Sequence, residues 1–248
     1  MIVIRVQMGT SFKKHVKRVS VKKQYKIGKM SGIFTIKIKS GKQNKYDSIP
    51  LFLIIKKYLK FGKTYYELKN LIKNGFIFVN GKKCFNINYP VGLSDTLSIP
   101  IITSRFRLFL NTRGNLKLYK IGVNEENFKI SIVQKIENLN DGFRKLITND
   151  QRYYLSKDKE IQKFNTVLVN SLNNKIIYCL NFDIGNLCLV IRGSRKGCVA
   201  AITYVSNNKI IHLMDKKGKK LLKFNRFVKS LVDLMVIGES AYPFLNIE

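Results

Sequence analysis

The sequence predicts an α+β fold, mostly β, built as a small helix–helix–hairpin module, a β-rich middle domain and a small five-stranded SH3-like barrel. Three patterns predict it. Between residues 50 and 79 apolar residues recur first at helical spacing and then as an alternating run closed by Asn80-Gly81. That dipeptide best tolerates the two positive φ angles of a tight hairpin. From Pro100 to about Leu180, short alternating stretches are separated by polar turns, as in compact β domains. From Phe182 onward, strand-like runs continue around a glycine-flanked basic loop.

Residues 1–49 read as a basic N-terminal arm. They hold 13 Lys and Arg against the single acid Asp47, with no sustained apolar period. Such a segment is expected to order on a polyanionic partner. Met8-Gly9 offers an alternative start, with Met1 to Gln7 as a short upstream extension.

Residues 50–100 form the module. Leu51, Ile54, Ile55 and Tyr58 follow i, i+3, i+4, i+7 spacing, with Lys56, Lys57 and Lys60 on other faces. Pro50 suits the first helical position, where its missing N–H is harmless. A second helix opens at Thr64-Tyr65-Tyr66-Glu67, a capping-box spacing. It carries Tyr65, Leu68, Leu71 and Ile72 as its apolar set and stops at Gly75. Phe76 to Val79 is a strand, Tyr89-Pro90-Val91-Gly92 a turn, and Asp95 to Ile99 another strand.

In the central domain, residues 101–180, Phe106 to Leu110 and Leu116 to Ile121 alternate around the turn Thr112-Arg113-Gly114-Asn115. Phe128 to Val133 and Thr166 to Val169 are further strands, and Asn173-Asn174 turns the latter toward Lys175 to Tyr178. Residues 181–238 give the barrel. Gly185 to Ile191 and Cys198 to Ile202 flank the loop Arg192-Gly193-Ser194-Arg195-Lys196-Gly197, whose glycines permit tight geometry beneath a basic tip. Lys209 to Met214 and Lys220 to Phe224 continue the β pattern, and residues 239–248 form a short tail.

Composition narrows the partner. Forty-six Lys and Arg against 15 Asp and Glu give a formal charge of +31. Self-repulsion on that scale destabilises a compact chain unless a polyanion neutralises it, and nucleic acid is the leading candidate. The longest apolar run, Ile49 to Ile55, is far short of the ~20 residues that span a bilayer. The first residues lack a signal-peptide core, so a soluble intracellular protein is expected. Cys84, Cys179, Cys188 and Cys198 show no C-x-x-C spacing, and only His15 and His212 could complete a metal site. Free thiols in a reducing compartment fit better than zinc.

Catalytic patterns are sparse. Gly62-Lys63-Thr64 ends like a phosphate-binding loop but has Lys57 where that motif needs glycine. Glu125-Glu126 is an adjacent pair whose side chains do not face each other. No catalytic residue, cofactor or metal ligand is expected. What remains is basic residues interleaved with aromatics. Lysine and arginine position a protein on phosphates, and Tyr65, Tyr66, Phe106, Tyr119, Tyr153 and Tyr154 could stack on unpaired bases.

Several segments also carry a resemblance. Ile49-Pro50-Leu51, Val79-Asn80-Gly81-Lys82, Tyr89 to Leu93 and Leu97-Ser98-Ile99 are similar to the RNA-binding module of the eukaryotic and archaeal S4e family of small-subunit ribosomal proteins. Lys13 to Val19 is similar to that family's basic opening, and Ser31 to Phe34 to the segment after it. Phe182 to Cys188, followed by Val190, Gly193, Lys196, Gly197 and Ile202, resembles its KOW motif. Ala200 stands where KOW motifs usually carry glycine. The order of arm, S4-type module, middle domain and KOW barrel is the most specific part of the likeness.

The resemblance implies a cytoplasmic, structural constituent of the small ribosomal subunit that binds rRNA and supports translation and subunit assembly. Its partners would be small-subunit rRNA and neighbouring ribosomal proteins, with no membrane, cofactor or small-molecule substrate. It implies RNA-binding roles for Lys60, Lys63, Lys69, Lys73 and Lys82 in the module. The same role falls to Lys13, Lys14, Lys17 and Arg18 in the arm, and to Arg192, Arg195 and Lys196 in the KOW loop. The alternative is an RNA-modifying enzyme of the pseudouridine-synthase kind, in which the same module delivers a catalytic domain. That would need a catalytic aspartate in a sizeable mixed domain, whereas residues 101–180 are small and basic.

Overall fold

The computed structural model describes residues 15–28, 30–43, 47–139, 142–193, 195–206, 210–215 and 226–239. In the arm, β1 (Val16–Lys17) pairs antiparallel with β2 (Phe34–Thr35). The described arm is docked rather than free-standing. Tyr25 and Ile38 are buried in the main core, and the Lys39 amide donates to the Asn88 carbonyl at 3.1 Å. Two apolar anchors this far apart produce no periodic signal, so the sequence suggests only a partner-dependent tail.

The module starts at β3 (Ile49–Pro50). Pro50 has extended angles (φ −64°, ψ 137°) and precedes the first helix instead of opening it. That helix, α1, is α-helical over Leu51–Leu53 and widens to a π-helix over Ile54–Leu59. The Lys60 amide closes the last wide turn on the Ile55 carbonyl, and Lys60 itself is left-handed (φ 59°). Five consecutive residues, Leu51 to Ile55, are buried, so this helix is enclosed at its start rather than amphipathic. The second helix, α2 (Tyr65–Lys73), has the expected capping box. Thr64 Oγ1 accepts from the Glu67 amide at 3.3 Å, and Glu67 Oε2 accepts from the Thr64 amide at 3.4 Å. Leu68 and Ile72 are buried and Leu71 is half-buried, whereas Tyr65 faces outward.

Hairpin strands β4 (Phe78–Val79) and β5 (Lys82–Lys83) are joined by Asn80 (φ 51°) and Gly81 (φ 74°), as the dipeptide predicts. The expected turn at 89–92 contains a short strand, β6 (Pro90–Val91), which pairs with β3. β7 (Thr96–Ile99), β8 (Ser104–Leu110) and β9 (Leu116–Lys120) complete a five-stranded sheet in the order β5-β4-β7-β8-β9. This sheet runs across residue 100, so the hairpin and the first two strands of the middle region share it.

A second sheet has β10 (Phe128–Asn138) at its centre, with β11 (Arg144–Thr148), β12 (Tyr153–Ser156), β13 (Thr166–Asn170) and β14 (Ile176–Leu180) in the order β12-β11-β10-β13-β14. β10 runs five residues beyond the expected strand, with a register shift between Val133 and Lys135. There it leaves β13 and pairs with β11.

The third sheet comprises β15 (Leu187–Val190), β16 (Val199–Val205), β17 (Ile210–Asp215), β18 (Arg226–Ser230) and β19 (Leu234–Gly238). All pairs are antiparallel, in the order β18-β17-β16-β15-β19. The expected strand 220–224 lies outside the described residues. β15 is buried on both faces: Leu187 and Leu189 enter the main core, Cys188 and Val190 a second one. Ala200 is buried opposite Cys188, so a methyl group is accommodated there.

Candidate nucleic-acid interface

The capping box fixes where α2 starts, and helix geometry then sets its outer face. Tyr65, Lys69 and Lys73 are spaced four apart, and Tyr66 lies three residues before Lys69, so these side chains share one side. Leu68 and Ile72 bury the other. Lys69 Nζ lies 5.9 Å from the Tyr65 ring centroid. Across from it, Lys56 Nζ lies 5.6 Å from the Phe52 ring, which itself packs 5.3 Å from Tyr65. Lys60, Lys63 and Lys73 are exposed, as is Lys82 on the hairpin. Among the described residues none of Lys60, Lys63, Lys69, Lys73 and Lys82 has an ion-pair partner. The nearby acid, Glu67, is engaged with the backbone of Lys63 and Thr64, and those hydrogen bonds hold its carboxyl below the usual range.

Two further groups of like charges crowd together. Lys42 is pushed below the ordinary lysine range by burial and by the charges of Arg152 and Lys82. Lys196, half-buried, is pushed down by burial and by Lys22 and Arg192, with Asp47 opposing them. Arg192 Nη2 reaches Asp47 Oδ2 at 3.5 Å. Asp150 opposes the shift of Lys42 as Asp47 opposes that of Lys196, so each group holds one anion among its cations. Lys42 and Lys22 are not among the expected site residues, because only the tertiary fold brings them beside Lys82 and Lys196.

The arm and the loop before β16 hold the other expected cations. Lys17 is exposed in β1, and Arg18 donates to the Gly28 carbonyl at 2.8 Å. Lys13 and Lys14 lie outside the described residues. Arg195 and Lys196 are half-buried because their loop docks on the β8–β9 turn. Gly197 (φ +89°) is so close that a Cβ there would come within 1.9 Å of the Asn111 carbonyl oxygen. Of the aromatics, Tyr66 and Tyr153 are well exposed, whereas Tyr154 is buried in the core of the second sheet and cannot reach a base.

An interior ion cluster joins the parts that carry these cations. Lys129, fully buried on β10, contacts Asp95 Oδ1 at 2.5 Å and Asp150 Oδ2 at 2.8 Å. Asp95 also accepts from Asn80 Nδ2 (2.7 Å), Gln43 Nε2 (2.9 Å) and the Gly92 amide (2.8 Å). Asp150 accepts from the Thr148 hydroxyl and pairs with Arg152 Nε at 3.3 Å. Burial pushes the Lys129 ammonium down, but the two carboxylates hold it above the ordinary lysine range. The arm, the hairpin and the middle sheet thus meet at one polar centre. In the sequence these acids stand isolated.

Two clefts accompany the surface. One, of about 340 Å³, is lined by Lys17, Arg18, Val19, Met30, Ser31, Gly32 and Ile33, and the other, of about 180 Å³, by Ile55, Phe61, Leu71, Phe76 and neighbouring isoleucines. Neither lining contains a carboxylate or an imidazole. Among the described residues no three His, Cys, Asp or Glu side chains are placed to hold a metal, and no helix is long and apolar enough to cross a membrane.

Comparison with known proteins gives a matching context. Residues 102–176 match the model of ribosomal family S4e. This stretch of the chain is similar to that family. The match takes in β8 to β13 and with them Lys129 and Asp150, the middle-sheet half of the ion cluster. A similar fold is seen in the crystal structure of the 30S ribosomal protein S4e from Thermoplasma acidophilum, which is 24% identical with a TM-score of 0.64. That alignment covers 80% of this chain and 99% of the archaeal one.

Proposed function

We propose that this chain is a structural constituent of the small ribosomal subunit that binds rRNA and contacts neighbouring ribosomal proteins in the cytoplasm, without catalysing a reaction. The observation that carries the proposal is the unneutralised cationic face of α2, Lys69 and Lys73 with Lys63 beside them, set next to exposed aromatic rings. A duplex or folded RNA offers phosphates at the spacing such a face can meet, and each neutralised phosphate releases counterions. In this proposal residues 50–100 act as an S4-type RNA-binding module. The arm, including Lys13, Lys14, Lys17 and Arg18, runs along rRNA. The third sheet serves as a KOW barrel that presents Arg192, Arg195 and Lys196. The match of residues 102–176 to the S4e family model supports the assignment to the ribosome.

The test is filter binding of the full chain to small-subunit rRNA fragments over a salt series. Affinity is expected to fall steeply and log-linearly with salt, and a flat response refutes the proposal. The double substitution Lys69→Ala/Lys73→Ala is expected to flatten the slope by about 2, one for each phosphate left without its lysine, with an unchanged circular dichroism spectrum. An unaltered slope removes α2 from the interface.

A further inference from the structure

The first turn of α2 does more than carry charge. Its capping box fixes Tyr65 and Tyr66 as the first two helical residues. Tyr66 is 74% exposed and stands nearly perpendicular to Tyr65, at 81° and 6.1 Å between ring centroids. Tyr65 is wedged against Phe52, so the pair rests on the helix it packs against. A large ring that is exposed yet fixed at its base loses little freedom when a ligand covers it. Lysines surround it: Lys63 before the helix, Lys69 and Lys73 along the same side. Glu67, the acid in that turn, is held in the cap.

We infer that Tyr66, buttressed by Tyr65, is a stacking platform for an unpaired RNA base, with Lys63 and Lys69 on the flanking phosphates. The inference rests on the RNA-binding reading above and sharpens it: the ligand of this face is a loop, bulge or single strand rather than continuous duplex. A paired base shows only its edge to a protein, whereas an unpaired one can present the face that a tyrosine ring covers. The cations select a polyanion over an apolar peptide, and the ring selects the nucleotide that has left the helix.

The experiment compares the full chain with Tyr66→Ala and Tyr66→Phe, measuring binding to a hairpin with an unpaired uridine loop and to a blunt duplex of equal phosphate count. Stacking predicts that Tyr66→Ala weakens loop binding about 5- to 150-fold and leaves duplex binding unchanged. Tyr66→Phe keeps the ring and stays within about twofold of the parent on both. The salt slope is expected to be the same for all three proteins, since every lysine that meets a phosphate is retained. Equal affinity of Tyr66→Ala and the parent for the loop overturns the inference, as does an equal loss on loop and duplex. If the unsubstituted chain binds neither RNA, the broader RNA-binding proposal falls with it. A parent that binds both RNAs with no tyrosine effect overturns the stacking platform alone.

Discussion

Replacing Lys129 by methionine tests the interior on which the basic surface is mounted. The ammonium is fully buried and sits 2.5 Å from Asp95 and 2.8 Å from Asp150. At 2.8 Å and an effective dielectric of 20, one such attraction is about 6 kcal/mol before desolvation. Desolvation takes back several kcal/mol per ion, so the intact cluster adds little net stability. Lys129→Met is a different matter, because it leaves two buried carboxylates facing each other. Removing one partner of a buried pair costs about 3–5 kcal/mol, and the lower end fits here because Asp95 keeps Asn80, Gln43 and the Gly92 amide while Asp150 keeps Arg152 and Thr148.

The pH dependence follows from the same groups. Burial pushes the Asp150 carboxyl up, but Lys129, Thr148 and Arg152 outweigh it and hold the folded group below the usual carboxylate range. Its contribution is therefore present above the unfolded value of about 3.9 and is lost as pH falls through the folded one. Lys129 is raised in the fold. Its contribution is present below the unfolded value of about 10.4 and is lost as pH climbs through the folded one. In Lys129→Met the upward push of burial on Asp150 meets no ammonium, so acid protonates the carboxyl and relieves the damage. Urea unfolding at pH 7 and pH 4, followed by circular dichroism, is expected to show a cost near 3 kcal/mol that shrinks on acidification. A cost below about 1 kcal/mol at pH 7, or one independent of pH, refutes the reasoning. The triple substitution Asp95→Asn/Lys129→Met/Asp150→Asn removes both carboxylates along with the ammonium they face and is expected to be milder than the single one.

Two local features make further predictions. Thr64→Ala removes the acceptor for the Glu67 amide and is expected to cost about 1 kcal/mol. It should also loosen the RNA-facing turn, which hydrogen exchange at Tyr66 and Glu67 would register, and unchanged exchange there would show that the cap is not holding that turn. Gly197→Ala drives a methyl into the Asn111 carbonyl at a positive φ and is expected to cost about 1–3 kcal/mol. Faster exchange of the Gly114 amide and of the amide at position 197, which donate to the Asn111 and Val190 carbonyls, would accompany it, and protection equal to the parent's would argue against a tight dock.

What is legible in the sequence is local. The capping box at Thr64 to Glu67 and the Asn80-Gly81 turn depend on neighbouring residues, and both are formed as expected. The family match falls on residues 102–176, whereas the motifs that carry the resemblance lie on either side of it, between residues 13 and 99 and between 182 and 202. The π-helix over Ile54–Leu59 is not legible, because a 3.6-residue spacing fits its apolar residues equally well. Tyr153 and Tyr154 show the limit in one pair. Strand alternation requires only one of them to face solvent, but which one depends on the side of the sheet that meets Val133 and Val167. The lysine pairings Lys42–Lys82 and Lys22–Lys196 span 40 residues and 174 residues of chain, beyond the reach of any periodicity.

The scarcity of acids takes on a structural meaning once their positions are known. Asp95 and Asp150 close on Lys129 where the hairpin meets the middle sheet. Glu125 and Glu126 hold Arg107 and Arg105 of β8 against the turn that leads into β10. Arg107 is wholly buried there, and it also donates to the backbone carbonyls of Glu125 (2.6 Å) and Phe128 (2.8 Å). Asp47 meets Arg192 where the arm passes the loop before β16. These carboxylates work as clasps between segments distant in sequence. Each such joint also takes up a cation, so five of the 15 acids are spent on holding segments together rather than on the surface lysines of α2 and the hairpin. Removing one clasp therefore has two effects of different kind: it loosens a joint, and it shifts the cations that the joint holds in place. For that reason Lys129→Met should lower RNA affinity without touching a surface lysine, and a variant that is less stable yet binds RNA with the parent's affinity and salt slope would separate the clasps from the interface.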